Sequence, residues 1–311
     1  RNIRDADLAL SPGANLIFGL NGSCKTSLLE AIHILSRGRS FRTRNLATVI
    51  SHDESSCTCF GQVNTDDSRG ISIPVGVMRN AEGKFVFKVN GEQVTTASQL
   101  AEVLPLQIVN SDSFELLEGS PGARRSFIDW GVFHVEHSYR EVWSRFQKCL
   151  KHRNSLLRHG KIDQLQLSVW DREFCALASQ IDLSRRNYLD RLIDSIRNMI
   201  ERLELNGQFD FTYQAGWDTS QDLQTQLKAA GARDHKAGHT HLGPHRADLR
   251  IQVGRQSAAD ILSRGQIKTL VFALKLAQGS LFEDITGRKC IFLLDDLPAE
   301  LDIHRRKAVC Q

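Results

Sequence analysis

Apolar positions along the chain change their period repeatedly, and each change marks an element. Leu16-Ile17-Phe18 is a short unbroken apolar run that predicts a strand. A glycine-rich turn follows at Gly19 to Ser23, and then Leu28, Leu29, Ile32 and Leu35 recur at helical spacing. Between residues 57 and 95 the pattern alternates. Phe85, Phe87 and Val89 interleave with Lys84, Val86 and Lys88, and Asn90-Gly91 is a strong two-residue hairpin signal. Leu106 to Val109, with Pro105 at its start, reads as a short buried strand.

From about 122 to 205 the pattern is helical and nearly free of Gly and Pro. One stripe runs Val142, Phe146, Leu150, Leu157. Another runs Trp170, Phe174, Leu177, Ile181, then Tyr188, Leu192, Ile196, Met199, Leu203. Both a helical-bundle core and a projecting coiled-coil arm satisfy this spacing. Alternation returns at Phe209, Phe211, Tyr213 and at Leu249, Ile251, Val253. A helix over Ile267 to Ala277 and an apolar strand over Cys290 to Leu294 follow. The layout predicts an α/β head divided in sequence by a helical insert: residues 1–110 as the first part of the head with an antiparallel β subdomain, 111–235 as the insert, and 236–311 as the returning head.

Composition narrows the class without naming a function. The 311 residues are 41% hydrophobic and 24% charged, enough for a large core. No apolar run approaches the ~18–20 residues of a membrane span, and Arg1-Asn2-Ile3-Arg4 is not followed by a leader-like segment. Seven scattered cysteines, with only Cys57 and Cys59 paired, suit a reducing cytoplasm better than a zinc site or a disulfide framework. A net charge of +4 is too mild to establish nucleic-acid binding by itself.

The chemistry concentrates in three ordered segments. Gly19-Leu20-Asn21-Gly22-Ser23-Cys24-Lys25-Thr26 lies between the predicted strand and helix, where small residues let backbone N–H groups turn toward phosphate oxygens. In that role Lys25 reaches the β- and γ-phosphates of ATP and Thr26 ligates Mg2+. Cys24 stands where the standard loop has Gly, which predicts weaker nucleotide binding. Leu262-Ser263-Arg264-Gly265-Gln266 precedes a helix and offers a second anion site through Ser263, Gly265 and Gln266; an ordinary serine helix cap explains the same residues. Cys290 to Leu294 ends in Asp295-Asp296, a Walker B-like strand end at which Asp295 holds Mg2+ and Asp296 polarises the attacking water.

These segments, with Gly119-Ser120-Pro121, Arg124 to Trp130, and Leu242-Gly243-Pro244-His245-Arg246-Ala247-Asp248-Leu249, resemble the RecF family of bacterial recombination mediators along essentially the whole chain. The resemblance implies a P-loop ATPase head of the ABC/SMC type. Such a head dimerises around ATP, with the Walker loop of one subunit facing the signature of the other. It also implies binding to single-stranded or single-strand/double-strand junction DNA, work with RecR and RecO, and a weak DNA-stimulated ATPase. Ala299-Glu300-Leu301-Asp302 falls at the place of the D-loop, and Asp296 at the place where most cassette ATPases carry Glu, which predicts slow turnover. His245 and Arg246 are open to three roles: support of the site, contact with DNA, or structural hydrogen bonding.

The densest basic stretch, Arg140, Arg145, Lys148, Lys151, Arg153, Arg158 and Lys161, is opposed only by Glu141. It fits phosphate contacts without sequence preference, and equally a solvated helix face. No aromatic platform for stacking bases is evident, so the expected recognition is of backbone and shape. Competing readings are the nucleotide subunit of a membrane transporter, a long-armed SMC protein, and a DNA-binding module with a disabled loop. Asp296 and the basic insert speak against the first, and the short insert against the second.

Overall fold

The computed structural model describes residues 3–20, 22–43, 45–51, 54–64, 70–158, 164–296 and Lys307. Its elements in chain order are α1 (Lys25–Arg37), β1 (Ser56–Asn64), β2 (Ser72–Asn80), β3 (Phe85–Val89), β4 (Glu92–Val94), α2 (Ala97–Val103), β5 (Leu106–Val109), α3 (Glu115–Glu118), α4 (Pro121–Val135), α5 (Tyr139–Arg158), α6 (Gln164–Arg202), β6 (Phe209–Gln214), α7 (Leu223–Ala237), β7 (Asp248–Val253), β8 (Gln256–Ser257), α8 (Ala258–Ile261), α9 (Arg264–Thr286) and β9 (Ile291–Leu294). They form two compact units, residues 1–111 with 282–311, and residues 112–281. Residues 236–281 lie in the unit of the long helices, where β7 pairs with β6 and α8 packs on β7.

In the first unit β1 to β4 form an antiparallel meander in sequence order. Asn90 and Gly91 both take positive φ, 53° and 82°, as the two-residue hairpin between Val89 and Glu92 requires. Inward residues of β1 and β2 meet in register, Cys59 opposite Val77 and Gly61 opposite Val75. Cys59, Val75 and Val77 close a core with Ile34 and Leu35 of α1 and Leu100 and Leu104 at α2. A capping box at Thr96 and Gln99 starts α2. β5 and β9 pair in parallel, Leu106 opposite Ile291 through Val109 opposite Leu294. The expected strand at Leu16-Ile17-Phe18 does not form. The segment has no ladder partner among the described residues, and Leu16 and Phe18 are 86% and 85% exposed, so nothing holds it in a pleat.

In the second unit α5 and α6 run antiparallel, and α6 also packs on α4 and α7, which makes the helical stripes a bundle core. The two apolar stripes each have a seven-residue step, from Leu150 to Leu157 and from Ile181 to Tyr188. Each step is bridged by a fully buried arginine, Arg153 on α5 and Arg185 on α6. Arg153 donates to Asp171 at 2.7 Å, Asp234 at 3.0 Å and the Thr240 hydroxyl at 2.7 Å. Arg185 grips Asp129 with two bonds, at 2.8 and 3.0 Å, and donates to the Pro244 carbonyl at 2.8 Å. Gly131 lets α4 approach α6, since a Cβ there would lie 2.0 Å from the Tyr188 hydroxyl oxygen.

Candidate nucleotide-binding site

The loop before α1 turns through two left-handed positions, Gly22 at φ 83° and Cys24 at φ 64°. Glycine adopts this region freely; a Cβ-bearing residue does so at a cost, so Cys24 carries backbone strain at the mouth of the helix. Cys24 precedes Lys25 as the N-cap and makes no side-chain cap bond, so the first N–H groups of α1 keep their donors for another acceptor. The Lys25 ammonium donates to the carbonyls of Gly19 at 2.8 Å and Leu20 at 2.9 Å, which folds the loop around it.

β9 brings the acidic end to the same place. The Asp295 N–H extends the parallel ladder by donating to the Val109 carbonyl at 3.0 Å, and this fixes where the two carboxylates emerge. The Thr26 hydroxyl donates to Asp295 Oδ1 at 3.2 Å across 269 residues of sequence. Asp296 follows with φ 57° and is exposed. Gly22 to Ser27, Asp295 and Asp296 line one cavity of about 1160 Å3, joined by Arg42, Thr48, Ser51 and Ser111. This volume is ample for a nucleoside triphosphate. Hard oxygen donors from a hydroxyl and a carboxylate, side by side, are the set a Mg2+ ion takes.

Arg42 escaped the sequence reading. Its loop is held by Ser40, whose hydroxyl donates to the buried carboxylate of Glu30 and accepts from the N–H groups of Arg42 at 2.9 Å and Thr43 at 3.2 Å. The Arg42 guanidinium lies 3.8 Å from Glu30. The buried neighbour His33 donates from Nδ1–H to the Arg39 carbonyl at 2.7 Å. Its pKa is lowered to about 4, chiefly by burial and further by Arg37 and Arg39, against the opposing effect of that hydrogen bond.

Ser263 and Gln266 form a reciprocal cap on α9. The Ser263 N–H donates to Gln266 Oε1 at 2.9 Å and the Gln266 N–H to Ser263 Oγ at 3.3 Å. The residues nonetheless stay available, because Ser263 and Gly265 are exposed and a Cβ at Gly265 would meet open space. Arg264 pairs with Glu118. Asn21, Lys161 and the segment Ala299 to Asp302 lie outside the described residues.

The basic stretch divides. Arg140, Arg145, Lys148, Lys151 and Arg158 are exposed on α5. Arg153 is not a DNA contact. It is 0% exposed and committed to Asp171 and Asp234, which corrects its place among the candidate phosphate ligands. Arg145 pairs with Glu173 at 3.2 Å, and Arg158 donates to the Gly238 carbonyl at 3.2 Å. The segment Gly243 to Asp248 serves structure. His245 Nε2 and Arg246 both bond the Thr240 carbonyl, at 3.0 and 3.3 Å. Arg124 clasps Asp248 at 2.7 and 3.2 Å, and Arg125 donates to the Ala247 carbonyl at 2.8 Å. Two of the segments that carried the resemblance are thus each other's partners.

Residues 1–311 match the family described as the RecF/RecN/SMC N terminal domain. A DNA replication and repair protein RecF from Pseudomonas syringae pv. syringae is 48% identical over 312 residues, covering 100% of this chain and 84% of that protein. The chain belongs to the RecF family. The RecF of Cellvibrio japonicus is also 48% identical, over 99% of this chain and 84% of its own length. Among solved structures, the recombination mediator protein RecF with ATP, in the RecFOR pathway, superposes with a TM-score of 0.90 at 28% identity, covering 100% of this chain and 86% of that one. An Smc head bound to the C-winged helix domain of ScpA shares the fold, with a TM-score of 0.53 at 15% identity over 93% of this chain and 74% of its own. The RecF fold, an ABC/SMC-type ATPase head with an antiparallel sheet, is therefore the fold of this chain, and the transporter-subunit and long-armed readings fall away. No described helix is long and apolar enough to cross a membrane.

Proposed function

We propose that this RecF-family chain is an ATP-binding recombination mediator of DNA repair, whose head closes on DNA when ATP is bound. One observation carries the reading: Lys25, Thr26 and Asp295, with Thr26 and Asp295 269 residues apart in sequence, converge on one cavity. In this reading the loop N–H groups and Lys25 hold the triphosphate, while Thr26 and Asp295 hold Mg2+, which would neutralise charge on the phosphates. Asp296 orients the attacking water. Its carboxylate is one methylene shorter than that of glutamate, so hydrolysis is slow.

Ser263, Gly265 and Gln266 of a second copy would seal the nucleotide, which makes the homodimer depend on ATP. The exposed cations of α5 would meet the DNA backbone at single-stranded or single-strand/double-strand junction sites, with RecR and RecO as partners in the cytoplasm. Sedimentation with ATP and Mg2+, with and without gapped DNA, tests this. Wild type should form a dimer that binds DNA, and Lys25→Ala or Asp295→Asn should remain monomeric with an unchanged denaturation midpoint. A dimer that forms equally without nucleotide, or in Lys25→Ala, would overturn it. A DNA-binding module with a disabled loop is the second reading, favoured by the strained Cys24. It is distinguished by DNA binding that ignores ATP.

A further inference from the structure

α5 and α6 face each other in an antiparallel register that places Arg145 against Glu173, Phe146 against Phe174 and Arg153 against Asp171. In the same register His152 lies flat on Trp170, with ring centroids 4.7 Å apart and planes inclined by 10°. His152 is exposed, whereas Trp170 beneath it is half-buried and its carbonyl accepts from the Cys149 thiol at 3.5 Å. The stack therefore has one covered side and one open side. Arg145, Lys148 and His152 follow at i, i+3 and i+7, a single stripe along the solvent face of α5, with exposed Lys151 beside it. Glu173 partly neutralises Arg145, and Glu141 continues the stripe toward the start of the helix, so Lys148 and Lys151 form its cationic centre. Exposed apolar surface adjoins the stack on α6, at Leu165, 80% exposed, and Val169, 64% exposed.

An exposed aromatic ring beside two ammonium groups has the chemistry of a single-stranded nucleic-acid contact. The ring offers a surface for any base, and the cations track the neighbouring phosphates. Base pairing withdraws base faces into the stack, so a duplex can use the cations but not the ring. We propose that His152, stacked on Trp170 and flanked by Lys148 and Lys151, is a platform for an unpaired base of single-stranded DNA. This rests on the DNA-binding reading above and gives that reading a contact for the single-stranded part of its DNA. It also replaces the expectation that no stacking platform exists: the two rings are 18 residues apart in sequence and meet only in the hairpin.

The test uses the full chain with saturating ATP and Mg2+ and three labelled DNAs of equal length: oligothymidylate, a strand of abasic sites, and a duplex. Fluorescence anisotropy at one salt concentration gives three affinities. Wild type should bind oligothymidylate about tenfold more tightly than the abasic strand, within the span of single-base stacking losses. His152→Ala, an exposed substitution, should bring that ratio to about one and leave abasic and duplex affinities within about twofold, while His152→Phe restores the preference. An unchanged ratio in His152→Ala overturns the platform. Wild-type binding with no preference for bases overturns the platform alone, whereas no binding to any of the three DNAs overturns the DNA-binding reading with it.

Discussion

The nucleotide loop and the α5/α6 hairpin are both organised around cations, and they treat them in opposite ways. Lys25 sits in a contiguous run of eight residues, bonds the carbonyls of its own loop, and opens on a large cavity. Arg153 and Arg185 sit inside a bundle core and are matched by carboxylates that arrive from other helices. A cation meant for a ligand bonds neutral carbonyls, because a carboxylate paired with it would compete with the phosphate. A cation meant for the fold is matched before any ligand comes, because an unmatched charge in a core is expensive. Charge density along the chain does not distinguish the two; the number of fixed carboxylates within reach does.

The largest test of that contrast is to remove one member of a buried set. Arg153→Met leaves Asp171 and Asp234 facing each other without a cation and should cost about 3–5 kcal/mol in denaturant unfolding. Arg185→Met, which strands Asp129, should cost a similar amount. Adding Asp171→Leu and Asp234→Leu to Arg153→Met should recover much of the loss, since a packed apolar set of similar volume can replace a buried ion network. If Arg153→Met unfolded no more easily than wild type but bound DNA less tightly, the division of the basic stretch into buried and exposed cations would be wrong.

Acid offers the second test, because among the described residues each unit holds a histidine whose pKa burial lowers. His33 in the first unit and His245 in the second are each lowered to about 4. Burial dominates in both, with Arg37 and Arg39 adding to it for His33, and Arg246, Arg125 and Arg153 for His245; a backbone hydrogen bond opposes the shift in each. The folded-state pKa lies below the ordinary 6.5, so from about pH 6.5 downward the unfolded chain takes up protons that the folded chain refuses. Stability is present above pH 6.5, falls as pH drops toward 4, and loses on the order of 3 kcal/mol per histidine by then. Unfolding midpoints measured at pH 7 and pH 4.5 should show a smaller drop in His33→Gln and in His245→Gln than in wild type. An equal drop in all three would assign the acid sensitivity to other groups.

The same contrast explains what the chain alone revealed. The Walker loop, the Asp295-Asp296 pair, the hairpin at Asn90-Gly91 and the helical stripes are local patterns, and the structure contains each of them. What could not be read was long-range. Arg153 looked like one more member of a basic run because its carboxylates lie 18 and 81 residues away. The His152–Trp170 stack needs the register of two helices. One signal was present and went unused: an apolar stripe that skips a turn and resumes in phase predicts that the skipped position is buried too, whatever its charge. Leu16-Ile17-Phe18 failed for the opposite reason. Its local pattern is that of a strand, but a strand needs a neighbour, and apolar content alone does not supply one.

A smaller effect is expected at the exposed cations. Lys148→Glu with Lys151→Glu should leave stability nearly unchanged and lower the slope of log affinity for DNA against log salt by about 0.7–0.9 for each phosphate no longer neutralised. Arg153→Met, in conditions where it remains folded, should leave that slope alone. A shallower slope for Arg153→Met than for the lysine pair would reverse the assignment of ligand-facing and fold-facing cations.

The smallest effect, and the sharpest, concerns Cys24, where the ligand-facing side of the comparison carries a strain of its own. A side chain held at φ 64° costs about 1–2 kcal/mol relative to glycine, and glycine returns about 0.5–1 kcal/mol of that as extra freedom in the unfolded chain. Cys24→Gly should therefore stabilise the protein by about 0–1.5 kcal/mol while tightening ATP, because the loop N–H groups could settle around the phosphates without distortion at the cap. Cys24→Ala separates the two causes. It keeps the strained φ and removes only the sulfur, so it should behave like wild type if the backbone is responsible and like Cys24→Gly if the thiol crowds the phosphates. Parallel ATP titrations of the three proteins decide between them, and three equal affinities would mean that the loop tolerates its odd residue without functional cost.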